Sequence, residues 1–506
     1  MAAELASISA KAETPQGSPA ERGGSRAIYA AMKGGDGAGR TRREARAGTC
    51  HRDGTAILLN ALSKLRGSSL AAARPWLQAY RVGIQRRKWH TGTPIMLFAI
   101  CQDFANKPLA YFHPAVYRDG MKARPQGAGK TVQSPSGYAA FIPNPLPPEI
   151  QWRPRLLRAL SDADRLIGQL AREGGSLPNP HPLMRPFVRR EAVLSSRIEG
   201  TEATLGELLA AEAGAAVQRS PADLREVANY VVALEYGTKR LSKLPLSLRL
   251  VRELHAKLMH GVRVNVATPG EFRRTQNWIG PPGCTLANAT YVPPPPDVLP
   301  TCLAAWEGFL HDRSLPPLVH TALVHYQFEA IHPFLDGNGR VGRLLITLLL
   351  MERQILPTPL LYLSAFFEAT RWEYYDRLRA VTDEAAWGSW LEYFLNGAAR
   401  MSEDALSRAE RINALLDKWR HAAAVAHSKA PLALVARLAE NPFWTVKKAA
   451  ERLGVAYTTA QRAIQRLESL GILTQTTDAR RDRVYCARAI MDILDEPANL
   501  TPSEKP

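Results

Sequence analysis

A chain of 506 residues, 46% hydrophobic and 22% charged, is long enough for several domains and has the balance of a globular protein. Its five cysteines (Cys50, Cys101, Cys284, Cys302, Cys486) lie far apart with no C-x-x-C pair, which argues against a disulfide scaffold or a cysteine zinc site and fits a reducing cytosol. The net charge of +18 looks like a nucleic-acid signal, but residues 1–130 hold 21 Lys+Arg against 8 Asp+Glu, so +13 of it belongs to that segment.

Residues 1–135 are rich in Ala, Arg and Gly and show little periodicity. They read as a disordered basic tail, or as translated sequence upstream of a true start. The apolar run Pro94 to Cys101 is too short to span a bilayer. The start also lacks the basic-then-apolar pattern of a signal peptide. The expectation is a cytoplasmic protein with no membrane partner.

The character changes at Gly137. The apolar segment 138–142 precedes Pro143, Pro145, Pro147 and Pro148, and then helical patterns begin with Leu156, Leu157, Leu160, Leu166, Ile167 and Leu170. Further helices are predicted at 189–198, 224–241 and 246–259. Residues 270–297 interleave Gly, Pro and aromatics and read as a loop or short hairpin. Helices resume at 299–312, 316–329 and 341–351, and fill 372–417. Two helical regions result, 136–245 and 246–420. The segment 431–492 reads as three helices (432–438, 446–453, 457–470) and two strands (472–475, 483–486), with Gly454 in the tight turn, and 493–506 as a tail. Three helices followed by a hairpin is a winged helix-turn-helix pattern. The predicted fold class is mainly α, a helical core with a small β-hairpin flap, plus a small α+β winged-helix domain.

The densest chemistry lies at His332-Pro-Phe-Leu-Asp-Gly-Asn-Gly-Arg-Val-Gly-Arg343, a loop leading into a helix. Gly337 and Gly339 permit a tight turn that exposes backbone N–H groups, and with the helix dipole these make an anion site. Arg340 and Arg343 share a face of the first helical turn and can clamp phosphate oxygens. Asp336 is an oxygen ligand suited to Mg²⁺ held jointly with phosphates. Asn338 is a neutral group that can position a phosphate. His332 is the one group in the loop able to take a proton near neutral pH. Base, metal ligand, anion nest and cation clamp together describe phosphoryl or nucleotidyl transfer.

This loop resembles the Fic family motif, H-x-F-x-D/E-G-N-G-R-x-x-R, at every fixed position: His332, Phe334, Asp336, Gly337, Asn338, Gly339, Arg340 and Arg343. The resemblance runs from about Gly137 to Met401. It implies that 136–245 is a Fic N-terminal helical region, that 246–420 is the catalytic core, and that residues 337–343, Val341 and Gly342 included, bind nucleotide. It further implies that His332 deprotonates a target's Ser, Thr or Tyr hydroxyl, that the hydroxyl attacks the α-phosphorus of ATP, and that Mg²⁺ sits on Asp336. Phe334 reads as a core anchor that aims His332.

Ser195-Ser-Arg-Ile-Glu-Gly200 looks like the family's inhibitory motif, S/T-x-x-x-E-G/N, with Ser195 and Glu199 on one helix face. By resemblance, Glu199 pairs with Arg343 and diverts it from the γ-phosphate. The segment 270–296 resembles the family's flap, in which Asn277, Trp278, Ile279 and Gly280 position the target by β-augmentation. Here Pro281 and Pro282 follow where a Gly-rich continuation is common. Tyr374 and Tyr375 match a family pair near the adenine pocket and equally fit a plain core.

In the last segment Ala460, Ala463, Ile464, Leu467 and Leu470 form an apolar helix face. Thr458, Thr459, Gln461, Arg462 and Gln465 fall elsewhere, and Arg480, Arg481 and Arg483 belong to the wing. DNA, protein contact and homodimer formation all stay open for this domain. The implied activity is protein adenylylation, self-modification included. Transfer of another phosphate-containing group such as UMP or phosphocholine, removal of AMP, or a transcription regulator with a ligand-sensing Fic domain remain alternatives.

Overall fold

The computed structural model describes residues 127–134, 137–176, 181–217, 220–262, 268–281, 283–424, 428–476 and 482–500. The patternless segment up to residue 126, Pro282, and Arg480 and Arg481 of the expected wing lie outside the described residues. The described part is mainly helical with two small sheets.

It begins earlier than the sequence suggests. Strand β1 (Gly129–Gln133) falls inside the segment 1–135 read as unstructured, and it pairs antiparallel with β2 (Ala139–Pro143) from Gly129↔Pro143 to Gln133↔Ala139. Ten α-helices follow among the described residues before the long eleventh: α1 (Pro154–Ser176), α2 (His181–Ile198), α3 (Leu205–Glu212), α4 (Pro221–Arg240), α5 (Leu248–Leu258), α6 (Leu299–Leu310), α7 (Pro317–Ile331), α8 (Asn338–Glu352), α9 (Ser364–Ala369) and α10 (Arg371–Glu384), which leads to α11 (Trp387–Ala424). Helix α3 has no counterpart in the periodicity, yet Thr204 and Glu207 close a capping box at its start.

The core is built around α7 and α8. From Leu318 to Ile331 every residue except Glu329 is buried, and α8 is buried from Asn338 to Leu350. A helix that is apolar all round is stable only when other elements surround it. Here α4, α5, α6 and α11 supply that cover. The six-residue connection 332–337 between α7 and α8 is thus held at both ends by helices that cannot shift without opening the core.

Helix α11, about 57 Å long at 1.5 Å per residue, packs along α1 and continues to the carboxy-terminal elements. These are α12 (Ala430–Val435), β3 (Phe443–Thr445), α13 (Val446–Leu453), α14 (Tyr457–Ser469), β4 (Thr474–Gln475), β5 (Val484–Cys486) and α15 (Arg488–Asp495). The sheet order is β3-β5-β4, all antiparallel, so the expected two-strand hairpin carries a third strand at 443–445. Gly454 caps α13 at φ 63°, which suits glycine.

The stretch read as a tail from 493 onward is instead anchored as far as Pro497. Arg408 of α11 donates to the carbonyls of Ile493, Glu496 and Pro497, and Arg190 of α2 to those of Leu494 and Glu496 at 3.0 and 3.3 Å. Asp404 balances both guanidiniums, 2.7 Å from Arg408 and 3.8 Å from Arg190. Burial lowers the Arg190 pKa to about 10, so it keeps its charge.

Candidate active site

His332 ends α7 in the left-handed region, φ 49° and ψ 62°. A non-glycine residue there stores strain of about 1–3 kcal/mol, held in place only by its surroundings. The surroundings are visible. The His332 carbonyl accepts from Arg273 Nε at 3.0 Å and Asn277 Nδ2 at 3.3 Å, and the Arg273 amide donates to the Pro333 carbonyl at 2.9 Å. Arg273 also donates to the carbonyls of Pro294 (2.6 Å) and Thr275 (3.3 Å) and is 3% exposed.

The His332 ring is oriented by its own helix. Its Nδ1 lies 3.2 Å from the Glu329 carbonyl, which can only accept, so Nδ1 carries the proton and Nε2 the lone pair. Burial lowers its pKa to about 4, so the ring is neutral and basic at Nε2 across the physiological range.

The rest of the loop is closed from inside. Asn338 Oδ1 accepts from the Phe334 amide at 2.8 Å and its Nδ2 donates to the Phe334 carbonyl at 2.9 Å, which also accepts from Asn277 at 2.8 Å. Asn338 therefore does not face a phosphate as expected, because both ends of its amide are engaged in the loop. Phe334 is fully buried and stacks on His255 at 3.7 Å between ring centres, as the anchor role requires. His255 Nε2 donates to the Asp336 carbonyl at 3.0 Å while its Nδ1 accepts from the Gly270 amide at 2.9 Å. Burial holds the His255 pKa near 4 and so keeps this arrangement.

Gly337, at φ 80°, starts α8 and receives Asp336 Oδ1 on its amide at 2.6 Å. The amides of the first turn have no partner within the helix, and they open toward the end of α2. There the Glu199 carboxylate lies so close to Gly339 that a Cβ at 339 would collide with Glu199 Oε1. Val341 and Gly342 contribute less than expected. The Val341 amide already bonds the Gly337 carbonyl and its side chain is fully buried, and Gly342 makes room for the Glu329 carboxyl.

The two arginines differ. Arg343 is 2% exposed and wholly engaged by α2: its Nε donates to Ser195 Oγ and its Nη2 to the Ser195 carbonyl, both at 2.9 Å, and Nη2 also meets Glu199 Oε1 at 2.6 Å. Desolvation opposes ionisation of Glu199, but the charge and hydrogen bond of Arg343, together with Arg340 and His332, outweigh it, and the carboxyl lies below its ordinary range. Arg340 sits at looser distances, 3.4 Å from Glu226 and 3.5 Å from Asp336. Glu329 presses on Gly342 with Oε1 unpartnered among the described residues, and burial raises its pKa to about 8.

Tyr374 belongs to the core, 1% exposed, its hydroxyl 2.9 Å from His325 Nε2, which leaves it no face for a base. Tyr375 keeps 37% of its surface, beside Arg371. The expected flap hairpin reduces to one bridge, Ile279↔Tyr291, with a 3-10 turn at Leu286–Asn288. Trp278 and Ile279 are exposed, Gly280 lets Cys284 approach, and Asn277 turns inward to the loop. Arg273 and His255 were not singled out in the sequence, because they act on backbone carbonyls and no spacing advertises that.

The family model described as Fic/DOC family N-terminal matches residues 157–239, and the Fic/DOC family model matches residues 245–350. Ser195 and Glu199 fall in the first and the whole loop 332–343 in the second. Two adjoining stretches of the chain are thus similar to the Fic/DOC family N-terminal and Fic/DOC family models. Over 161 residues it is 35% identical to the protein adenylyltransferase Fic of Drosophila grimshawi and to that of Drosophila virilis, 31% of this chain and 31% of each relative. The match thus spans about a third of the length of those curated relatives. Among solved structures, a Fic family protein from Desulfovibrio desulfuricans G20 covers 68% of this chain and 98% of its own at 21% identity and TM-score 0.46. Residues 134–508 of Fic-1 from C. elegans cover 50% of this chain and 73% of their own at 26% identity and TM-score 0.39.

Proposed function

We propose that the chain is a protein adenylyltransferase, moving AMP from ATP to a hydroxyl side chain of a protein and held in check by Glu199. The observation that carries this reading is a neutral imidazole with its lone pair fixed on Nε2, six residues from the amino-terminal amides of α8. In the reaction His332 Nε2 takes the hydroxyl proton, the hydroxyl oxygen forms a bond to the α-phosphorus, and the α–β anhydride bond breaks to release pyrophosphate. The Gly337–Arg340 amides and the Arg340 and Arg343 guanidiniums bind the phosphates. Tyr375 offers its exposed face to the adenine, and Trp278 and Ile279 offer the exposed bridge edge to the target.

Mg²⁺ fits Asp336, a half-exposed carboxylate beside the anion nest. Among the described residues no group of three or more His, Cys, Asp or Glu side chains could hold a metal without help, so such an ion takes its other ligands from phosphate and water. Bound there, Mg²⁺ would neutralise charge on the leaving pyrophosphate.

For the carboxy-terminal elements we keep the winged-helix reading. Helix α14 buries Ala460, Ala463, Ile464 and Leu467 and exposes Thr458, Gln461, Arg462 and Gln465, a polar face suited to a DNA groove. The test of the enzymatic proposal is label transfer to protein from ATP labelled at the α- or the γ-phosphate. Protein label from the α-position alone supports AMP transfer, and label from the γ-position contradicts it.

A further inference from the structure

Between α2, α3 and the carboxy-terminal elements lies a half-open cavity of about 240 Å³. Arg185 and Arg189 of α2, Glu212 at the end of α3, Glu440, and Lys448 and Arg452 of α13 line it, with β3 along one wall. Four cations thus face two lining carboxylates, both of which already have partners, and Arg189 also lies 3.6 Å from a third carboxylate, Glu235. Glu212 accepts from Arg189 Nε at 3.0 Å, and Glu440 lies 3.6 Å from Arg185 and 3.3 Å from Arg437. Lys448 and Arg452 make no ion pair among the described residues.

A concave site with excess positive charge focuses its field on an anion. Guanidinium forks and a lysine ammonium are the groups that hold phosphate, and a phosphomonoester brings close to two negative charges to match the excess. The volume is below the roughly 300–1,000 Å³ of drug-sized pockets, which suits a small ligand and excludes a nucleic-acid duplex. We propose that this cavity binds a small ligand carrying a phosphate dianion, clamped between Arg185 and Arg189 on one side and Lys448 and Arg452 on the other. The site is separate from the loop. Arg189 and Glu199 are about 15 Å apart along the helix direction of α2. The bound phosphate joins the helix that carries Ser195 and Glu199 to α13.

The experiment is calorimetric titration of the full chain in phosphate-free buffer with inorganic phosphate and, separately, glycerol phosphate. Saturable binding is expected at about 0.15 M salt, where unspecific surface attraction is screened. Lys448→Glu combined with Arg452→Glu should weaken it at least about tenfold, the effect of losing one charged hydrogen bond or more. Arg343→Ala, which alters the loop's own anion site, should leave it in place. Tighter binding of glycerol phosphate would mark a monoester as the occupant, and equal binding free phosphate. Both positions are at least partly exposed, so the double variant should fold, and Lys448→Gln with Arg452→Gln replaces it if melting shows otherwise. Absence of saturable binding overturns the proposal. So does binding that survives the double variant and disappears with Arg343→Ala.

Discussion

His332, the proposed base, has its proton fixed on Nδ1 by a carbonyl, and burial lowers its pKa to about 4, which keeps the ring neutral with Nε2 free to accept a proton. Replacing it with Ala should reduce AMP transfer by ~10²–10⁴-fold, the usual loss when a general base is removed, with thermal melting unchanged to within a few degrees. The same pKa sets the pH profile. The base form predominates above about 4, so transfer by folded protein should stay flat from pH 8 down to about 5. A midpoint near the ordinary 6.5 would show that the ring is not held neutral. Asn338→Ala would leave the buried amide of Phe334 without its partner, at a cost of about 1–3 kcal/mol, while the Phe334 carbonyl keeps its bond from Asn277. The expected result is a clear fall in melting temperature together with weakened activity, since the loop that carries His332 loses its closure. The loop's chemistry was legible because its residue types are packed into one short run. The support was not: Arg273, His255 and Asn277 come from other segments and bond backbone carbonyls, which any sequence supplies. Asn338 misled for the related reason that an amide's partners cannot be read from its type.

At the scale of elements, α7 and α8 could be read from their high apolar content, with Leu, Val and Ile recurring on every side, which suits a buried helix. Strand β1 escaped, because five residues with a partner six positions later give no period to detect. Helix α3 could have been found from Thr204 and Glu207 alone, as a capping box marks a start without any periodicity. Helix α2 matters most. It delivers Ser195 and Glu199 to Arg343 from one face, and further back Glu191 accepts from Tyr230 and the Ser364 amide at 3.2 Å, which pins α2 to α4 and α9. Glu191→Ala should therefore loosen α2 on its neighbours. Increased proteolysis near 191–200 and higher basal transfer are the expected signs, and neither change would mean that α2 is fixed by packing alone.

At the scale of the whole molecule, four buried histidines among the described residues share one behaviour. His255, His320 and His332 are held near 4 and His325 near 3, each lowered by burial from 6.5. Each folded pKa lies below its unfolded value, so between 6.5 and 4 the unfolded chain binds more protons and stability drops as the pH is lowered. Glu329 acts in the opposite sense: its folded pKa of about 8 lies above the ordinary value, so its contribution is lost as pH rises toward 8. Four groups outweigh one below 6.5. The melting temperature should climb from pH 4.5 to about 6.5 and then level or decline, and a flat or falling profile over the acid range would contradict the buried neutral state of these rings. The carboxy-terminal elements were legible as three helices and two strands, but β3 depends on its pairing with β5 beyond two intervening helices, and the anchoring of 493–497 by Arg190 and Arg408 on partners some 85 to 306 residues away in the chain.

The central claim is that Glu199 blocks a competent site by holding Arg343 and lying over Gly339. A carboxylate and a γ-phosphate compete for one guanidinium fork, and a misplaced nucleotide loses rate more than affinity. The decisive measurement is incorporation of α-labelled ATP into protein by wild type, Glu199→Gly, and Glu199→Gly combined with His332→Ala, at equal concentration. Labelling should rise well above wild type in Glu199→Gly and vanish in the double variant, whereas equal labelling by wild type and Glu199→Gly would contradict the latch.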